Sequence, residues 1–77
     1  PVLIYPNPSE GDLHIIIPST ITGFDVSIYN ETGLLIQNHK NIKDRHMDIT
    51  GLQPGIYMIK IVSQNDNAVY TKKIIVQ

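Results

Sequence analysis

The chain has 77 residues, enough for one domain, and a formal net charge of −1. It contains no cysteine, which excludes disulfides and thiolate chemistry, and its mixed charges exclude a broad field that would attract nucleic acid or an anionic membrane. No apolar run approaches the roughly 20 residues of a membrane span. Isoleucine, valine, threonine and tyrosine are abundant and alanine is nearly absent, which favours strands over helices.

Seven short runs of mainly apolar residues alternate between two faces, as strands of a half-buried sheet do. Turn residues separate these runs at spacings of about 8–12 residues, and no segment has helical periodicity. This pattern predicts an all-β fold, namely a small seven-stranded antiparallel β-sandwich of the immunoglobulin-like kind. The predicted strands span residues 2–5, 13–17, 24–30, 34–37, 45–49, 56–62 and 68–76.

Proline and glycine mark the ends of the early strands. Pro6 and Pro8 stop the first strand, because proline has no N–H to donate to a β-ladder. Ile21, in the loop after the second strand, is expected to cover the core. The third strand turns back at residues 30–33, where Gly33 takes the positive φ of a hairpin turn.

The sixth strand is apolar on most of both faces and is therefore predicted to be central in its sheet. Pro54 and Gly55 precede it as the predicted centre of a type II turn, which needs a positive φ at its third residue. Leu52, just before that turn, is expected to fold back and close the end of the core. Residues 38–44 are polar and basic and are predicted to form an exposed connection.

The last strand has an inconsistent alternation. Val69 and Thr71 are out of phase with Ile74 and Val76. Either a bulge at residues 72–73 restores the phase, or one of the two pairs is exposed.

The candidates for catalysis and metal binding are scattered. No histidine lies two or four residues from another, no cysteine is available, and no loop has the carboxylate spacing of a calcium site. We therefore expect no metal, no cofactor, no small-molecule substrate and no enzymatic activity. The residues considered are His14, His39, His46, Asp12, Asp44, Asp48 and Asp66.

Two surface features permit a binding role and also have simpler explanations. Tyr29 is the best exposed aromatic platform for a sugar, although a lone tyrosine on a strand more often packs across strands. Lys72 and Lys73, with Lys60, can form a small basic strip, or they protect an edge strand from aggregation.

Three segments in a set order carry a family resemblance. Residues 4–8 read Ile-Tyr-Pro-Asn-Pro and are followed by Gly11, residues 51–57 read Gly-Leu-Gln-Pro-Gly-Ile-Tyr, and residues 72–77 read Lys-Lys-Ile-Ile-Val-Gln. Residues 26–33 add a central hairpin. Together they resemble the C-terminal sorting domain of the type IX secretion system of Gram-negative bacteria, with its Tyr-Pro-Asn-Pro opening, its Gly-Leu-x-x-Gly-x-Tyr motif and its basic-then-aliphatic ending.

The resemblance implies that residues 1–77 are a single C-terminal sorting domain, excised from a longer secreted protein. Such domains are recognised by the outer-membrane secretion machinery after their cargo reaches the periplasm. In many cases a sortase-like peptidase then removes the domain and joins the cargo to lipopolysaccharide at the cell surface. The residues carried over as sorting or recognition candidates are Pro6, Asn7, Pro8, Gly11, Gly51, Leu52, Gly55, Tyr57, Lys72, Lys73, Ile74, Ile75, Val76 and Gln77.

Folding alone explains the middle segment as turn and core, and residues 6–8 are either a rigid exposed loop or a strand stop. The terminal strand is therefore the best recognition candidate. At a sheet edge its backbone can pair with a strand of a receptor or of a second copy of the chain. Lys72 and Lys73 are expected to set the register against acidic partner groups. The alternatives are a structural or adhesion spacer, in which the terminal residues matter only for folding, and a carbohydrate-binding module, which the absence of tryptophan disfavours.

Overall fold

The computed structural model describes residues 2–77, which form seven strands. No helix in this range is long and apolar enough to cross a membrane. The strands are β1 (Leu3–Tyr5), β2 (Leu13–Ile16), β3 (Phe24–Asn30), β4 (Leu35–Ile42), β5 (His46–Ile49), β6 (Gly55–Ser63) and β7 (Val69–Val76).

The strands form two antiparallel sheets. One has the order β1-β2-β5 and the other the order β4-β3-β6-β7, so β6 is central as predicted. Strands one, two and five on one side and three, six and seven on the other are the arrangement of an immunoglobulin-like sandwich, with β4 added at the edge beside β3. The structure therefore confirms the predicted all-β sandwich, and it places the terminal strand β7 at a sheet edge.

The core lies between the inner faces of the two sheets and contains the residues that the alternation predicted. Each fully buried aliphatic side chain stabilises the fold by about 1.5–3 kcal/mol through removal of apolar surface from water. Ile21 and Leu52, which lie outside the strands, are buried members of this core, in agreement with the expectation that they cover it. The buried residues are Ile4, Leu13, Ile15, Ile17, Ile21, Phe24, Val26, Ile28, Ile49, Leu52, Tyr57, Ile59, Ile61, Ile74 and Val76.

The hairpin at residues 30–33 is present, but the strand after it is longer than predicted. Gly33 has φ 88° and donates its N–H to the Asn30 carbonyl oxygen at 2.9 Å. The predicted connection at residues 38–44 is wrong for residues 38–42, which belong to β4, whereas residues 43–44 do connect two strands and most of the segment is exposed as expected. The β4 backbone stays paired with β3 through two register shifts, and an edge strand needs no apolar alternation on a face that is open to water.

The predicted type II turn at Pro54 and Gly55 is also wrong. Gly55 has φ 159° and is the first residue of β6, whereas the third residue of a type II turn needs a φ near +80°. Gly51 has a φ close to that value, at 76°. The chain bends at Pro54 and then enters β6 almost extended.

The last strand contains no bulge. Its register against β6 is unbroken from the pair Val62 and Val69 to the pair Gly55 and Val76. The second alternative is therefore the correct one: Ile74 and Val76 are buried, and Val69 is exposed together with Thr71.

Candidate functional site

The terminal strand has a covered half and an uncovered half along its outer edge. Side chains of Ile74 and Val76 point into the core, so those of Lys73 and Ile75 point away from it. In an antiparallel pair, backbone groups bond alternately to the neighbouring strand and away from it. The outward-directed groups of β7 are therefore those that a further strand can pair with.

Asn7 covers part of this edge with its side chain. Its Nδ2 donates to the Lys73 carbonyl oxygen at 3.1 Å, and the Ile75 N–H donates to its Oδ1 at 3.1 Å. The carboxamide thus offers one donor and one acceptor, as a peptide group of a neighbouring strand would. Pro6 and Pro8, which have no N–H, flank it, and the sequence prediction of a strand stop is compatible with this exposed loop.

Ser9 continues the cover along the same edge. Its N–H donates to the Ile75 carbonyl oxygen at 2.8 Å, and its carbonyl oxygen accepts the Gln77 N–H at 2.8 Å. The Ser9 side chain is fully buried, and its hydroxyl donates to the Asp12 carbonyl oxygen at 2.6 Å. This role of Ser9 was not predicted from the sequence, although a serine at the start of a turn often bonds to its own backbone.

Gly11 joins the opening segment to the middle one. Its carbonyl oxygen accepts the Leu52 N–H at 3.1 Å, and its φ of 118° lies where glycine is favoured. A Cβ at this position would lie 3.1 Å from the Leu52 carbonyl oxygen. The opening segment therefore contacts both other segments of the resemblance, so that all three meet at one end of the sandwich.

Tyr57 anchors the middle segment. Its ring is buried, and its hydroxyl donates to the Gln53 carbonyl oxygen four residues earlier. This is the tyrosine corner of immunoglobulin-like folds, in which a tyrosine near the start of a strand holds the preceding bend. The folding role expected for Leu52 and Tyr57 therefore has a specific geometry.

The sequence profile of the family described as the secretion system C-terminal sorting domain matches residues 3–77. The chain belongs to this family. No curated protein matches the chain at a significant level. The match covers the three segments whose contacts are described above.

Membership gives the sorting domain a general function. It is a type IX secretion sorting signal, which implies an interaction with the type IX machinery and a protein that is secreted across the outer membrane. The family is non-catalytic in general. A sorting signal acts by being recognised, so the surface that it presents is its functional site.

Half of the β7 edge of the sorting domain is uncovered. Among residues 2–77, β7 pairs only with β6 and, through Val76, with Ser9. The alternation that directs the Ile75 N–H and carbonyl outward also directs outward the backbone groups of Val69 and Thr71. Residues 69–73 therefore offer a short row of backbone donors and acceptors to a partner.

The two terminal lysines of the sorting domain lie on opposite faces of β7. Lys73 is on the outer face of its sheet, beside the cross-strand partner Met58. Lys72 has the parity of the buried residues but lies near Val2 and Ile4 on an edge strand, where it is exposed. The predicted basic strip therefore does not form as one surface, because Lys60 shares only the outer face with Lys73.

The outer face beside Lys73 carries a shallow apolar groove. It includes Tyr29 and Met58, which are cross-strand partners, together with Ile56. The Met58 side chain is 42% exposed, and that of Ile56 is 37% exposed. Tyr29, considered from sequence as a sugar platform, is half-buried and packs across strands.

The three histidines separate into a pair and a single residue. His39 lies on β4, and its Nε2 is 2.9 Å from the Gln37 Oε1. His14 and His46 lie on the other sheet, on either side of Asp48. The hydrogen bond from His14 is the main cause that holds the pKa of the Asp48 carboxyl below its ordinary value. The expectation of no metal site rested on the spacing of histidines along the chain. That spacing could not reveal this group, because its members come from two strands.

Proposed function

We propose that the type IX machinery recognises the sorting domain by pairing one of its strands with the uncovered edge of β7 at residues 69–73. The observation that carries this proposal is that β7 is an edge strand whose outward backbone groups are covered only from Lys73 onward. Addition of a strand to an open edge is a common mode of peptide recognition, since backbone hydrogen bonds supply affinity.

The contacts of Asn7 and Ser9 support this assignment of roles within β7. They hold residues 73–77 against the domain itself and keep the strand extended up to its end. The remaining half of β7 is thereby ordered before a partner binds, so less conformational entropy is lost on binding.

Lys72 and Lys73 supply the side-chain part of the proposed recognition. Because they lie on opposite faces of β7, they contact acidic groups on both sides of the added strand and so fix its register. Both side chains are exposed, so charge reversal leaves the core unchanged.

The test is a secretion assay with residues 1–77 fused to a periplasm-targeted reporter, in a host with and without the type IX machinery. Deletion of residues 73–77 is a poor variant, because it also removes Ile74 and Val76 from the core. Point substitutions on the edge separate recognition from folding, and each variant is first shown to be folded by circular dichroism.

Thr71→Pro tests backbone pairing. Proline removes the outward N–H at this position, where an edge strand tolerates it, and Thr71→Val is the matched control that keeps the backbone donor. We expect Thr71→Pro to leave the folded reporter in the periplasm and Thr71→Val to be secreted. Normal secretion of a folded Thr71→Pro variant would refute pairing at this edge.

Lys72→Glu together with Lys73→Glu tests the side chains, with Lys60→Glu as a control that shares the outer face but not the strand. We expect secretion to fall for the double variant and to be kept for the control. Retention of the unmodified domain in the periplasm, with the machinery present, would leave a structural or adhesion spacer, or a carbohydrate-binding module, as the working function.

We further infer that residues 1–77 are one sorting domain at the C-terminal end of a longer secreted precursor, and that a sortase-like peptidase removes it and attaches the cargo to the cell surface. The family match over residues 3–77 supports this reading. Mass spectrometry of the secreted reporter tests it: a new C-terminus that lacks the domain is expected, and an intact fusion outside the cell would contradict it.

The uncovered edge also permits self-association of the sorting domain. Two β7 strands can pair through the outward backbone groups of Val69 and Thr71 without displacing Asn7 from the Lys73 carbonyl oxygen. Sedimentation at increasing protein concentration tests this, with dimers expected for the unmodified chain and monomers for Thr71→Pro. Identical sedimentation of the two proteins as monomers would exclude pairing of this kind.

A further inference from the structure

Three side chains meet on the outer face of the three-stranded sheet, away from β7. His14 on β2 and Asp48 on β5 are direct cross-strand partners, and His46 precedes Asp48 by two residues on the same strand. The His14 Nδ1 lies 2.7 Å from the Asp48 Oδ1, and the His46 Nε2 lies 2.9 Å from the same oxygen. One carboxylate oxygen therefore lies between two imidazole nitrogens.

We propose that His14, His46 and Asp48 bind one divalent transition-metal ion, with zinc as the best match. Each residue offers one ligand atom, and the three atoms all lie within 4.8 Å of one another. Two imidazole nitrogens and one carboxylate oxygen are the donor types that zinc takes in proteins, in sets of three with water as a fourth ligand. Copper(II) and nickel(II) compete for imidazole donors by the usual order of affinities.

The geometry needs only a small adjustment to accept the ion. Zinc–ligand distances near 2.0–2.1 Å place tetrahedral ligands about 3.3 Å apart. Each hydrogen-bonded contact therefore opens by roughly half an ångström, and the two imidazole nitrogens, which lie within 4.8 Å of each other, take the same spacing. Rotation of the side chains can supply this, because those of His14, His46 and Asp48 are 40%, 54% and 54% exposed. The same exposure gives the ion a path from solvent.

The proposed ion would join an edge strand to its neighbour. Within residues 2–77, β5 pairs only with β2, so coordination by His14 from one strand and by His46 and Asp48 from the other bridges their one shared ladder. A ligand that binds the folded chain and not the unfolded chain stabilises it by mass action. Binding should therefore raise the melting temperature, and the rise should grow with metal concentration.

The experiment titrates the untagged chain with zinc alone at pH 7.5, followed by calorimetry and by nuclear magnetic resonance of the histidine ring nitrogens. We expect one ion per chain, with shifts at the His14 Nδ1 and the His46 Nε2. His14→Ala, His46→Ala and Asp48→Asn should each weaken binding by more than about tenfold, since loss of even an indirect partner of a metal ligand costs 10–100-fold.

His39→Ala is the matched control, because it removes one histidine from the other sheet. Unchanged zinc affinity is expected for this variant. If zinc up to about 1 mM produces no heat and no ring-nitrogen shifts, the proposal is overturned. It is equally overturned if His39→Ala weakens binding as much as His14→Ala does, because the ion then binds histidines without regard to the cluster.

Discussion

Replacement of Asn7 by alanine tests the contact that orders the end of the terminal strand. The change removes two exposed hydrogen bonds, each 3.1 Å long, to Lys73 and Ile75. A hydrogen bond contributes about 0.5–1.5 kcal/mol net, and exposure favours the lower part of that range because water solvates the freed groups. We expect the free energy of unfolding to fall by about 1–2 kcal/mol, which lowers the melting temperature of a domain this small by roughly 4–15 °C.

Urea and thermal unfolding followed by circular dichroism measure this loss, and two further variants sharpen it. Asn7→Asp keeps the acceptor for the Ile75 N–H but loses the donor, so its loss should be intermediate. Asn38→Ala removes one exposed hydrogen bond, to the Ser27 hydroxyl, and should cost about 0.5 kcal/mol or less. If Asn7→Ala is no more destabilising than Asn38→Ala, the reasoning about the covered edge is refuted.

Three further predictions concern the turns. Gly11→Ala should destabilise more than Gly33→Ala, because both have positive φ but only the first Cβ would meet a carbonyl oxygen, at 3.1 Å; equal losses in urea unfolding would contradict this. Tyr57→Phe should cost about 0.5–1.5 kcal/mol in the same assay, because only the hydroxyl of the tyrosine corner is lost. A hydrogen bond from the Ala68 N–H is the main cause that lowers the pKa of the Asp66 carboxyl below its ordinary 3.8. The stability that the ionised carboxylate contributes is present above the ordinary pKa and is lost as the pH falls through the lower pKa of the folded state. Asp66→Asn should therefore have a lower melting temperature than the unmodified chain at pH 7 and the same melting temperature at pH 2. A difference in melting temperature that does not change with pH would contradict this.

Local alternation predicted most of the fold. Runs such as Phe24, Val26 and Ile28 identify a strand and its buried face together, because successive side chains of a strand point to opposite sides. The same signal failed for β4, whose residues lie at an edge and need not be apolar. It also failed to choose between the alternatives for β7, where the unbroken register against β6 decided the outcome, because it puts Val69 and Thr71 on the outer face with Lys73.

The middle segment shows how far a motif can be interpreted without the structure. The sequence indicated that Leu52 and Tyr57 belong to the core, and both are buried. It placed the φ of a type II turn, near +80°, at Gly55, because Pro-Gly is a strong local turn signal, whereas Gly51 has a φ of 76° and Gly55 one of 159°. The hydroxyl of Tyr57 and the backbone before it decided otherwise, since their hydrogen bond fixes the path of the chain into β6.

The sequence by itself determined the class of fold, the core and, through three ordered motifs, the family. Those features follow from side-chain patterns that repeat every two residues or from residues that lie close along the chain. Only the tertiary structure decided that Asn7 covers Lys73, 66 positions later, and that His14 meets Asp48 from another strand. Such contacts depend on which strands become neighbours, and the alternation within one strand specifies its buried face but not its neighbour, because backbone hydrogen bonds between strands are the same for every side chain.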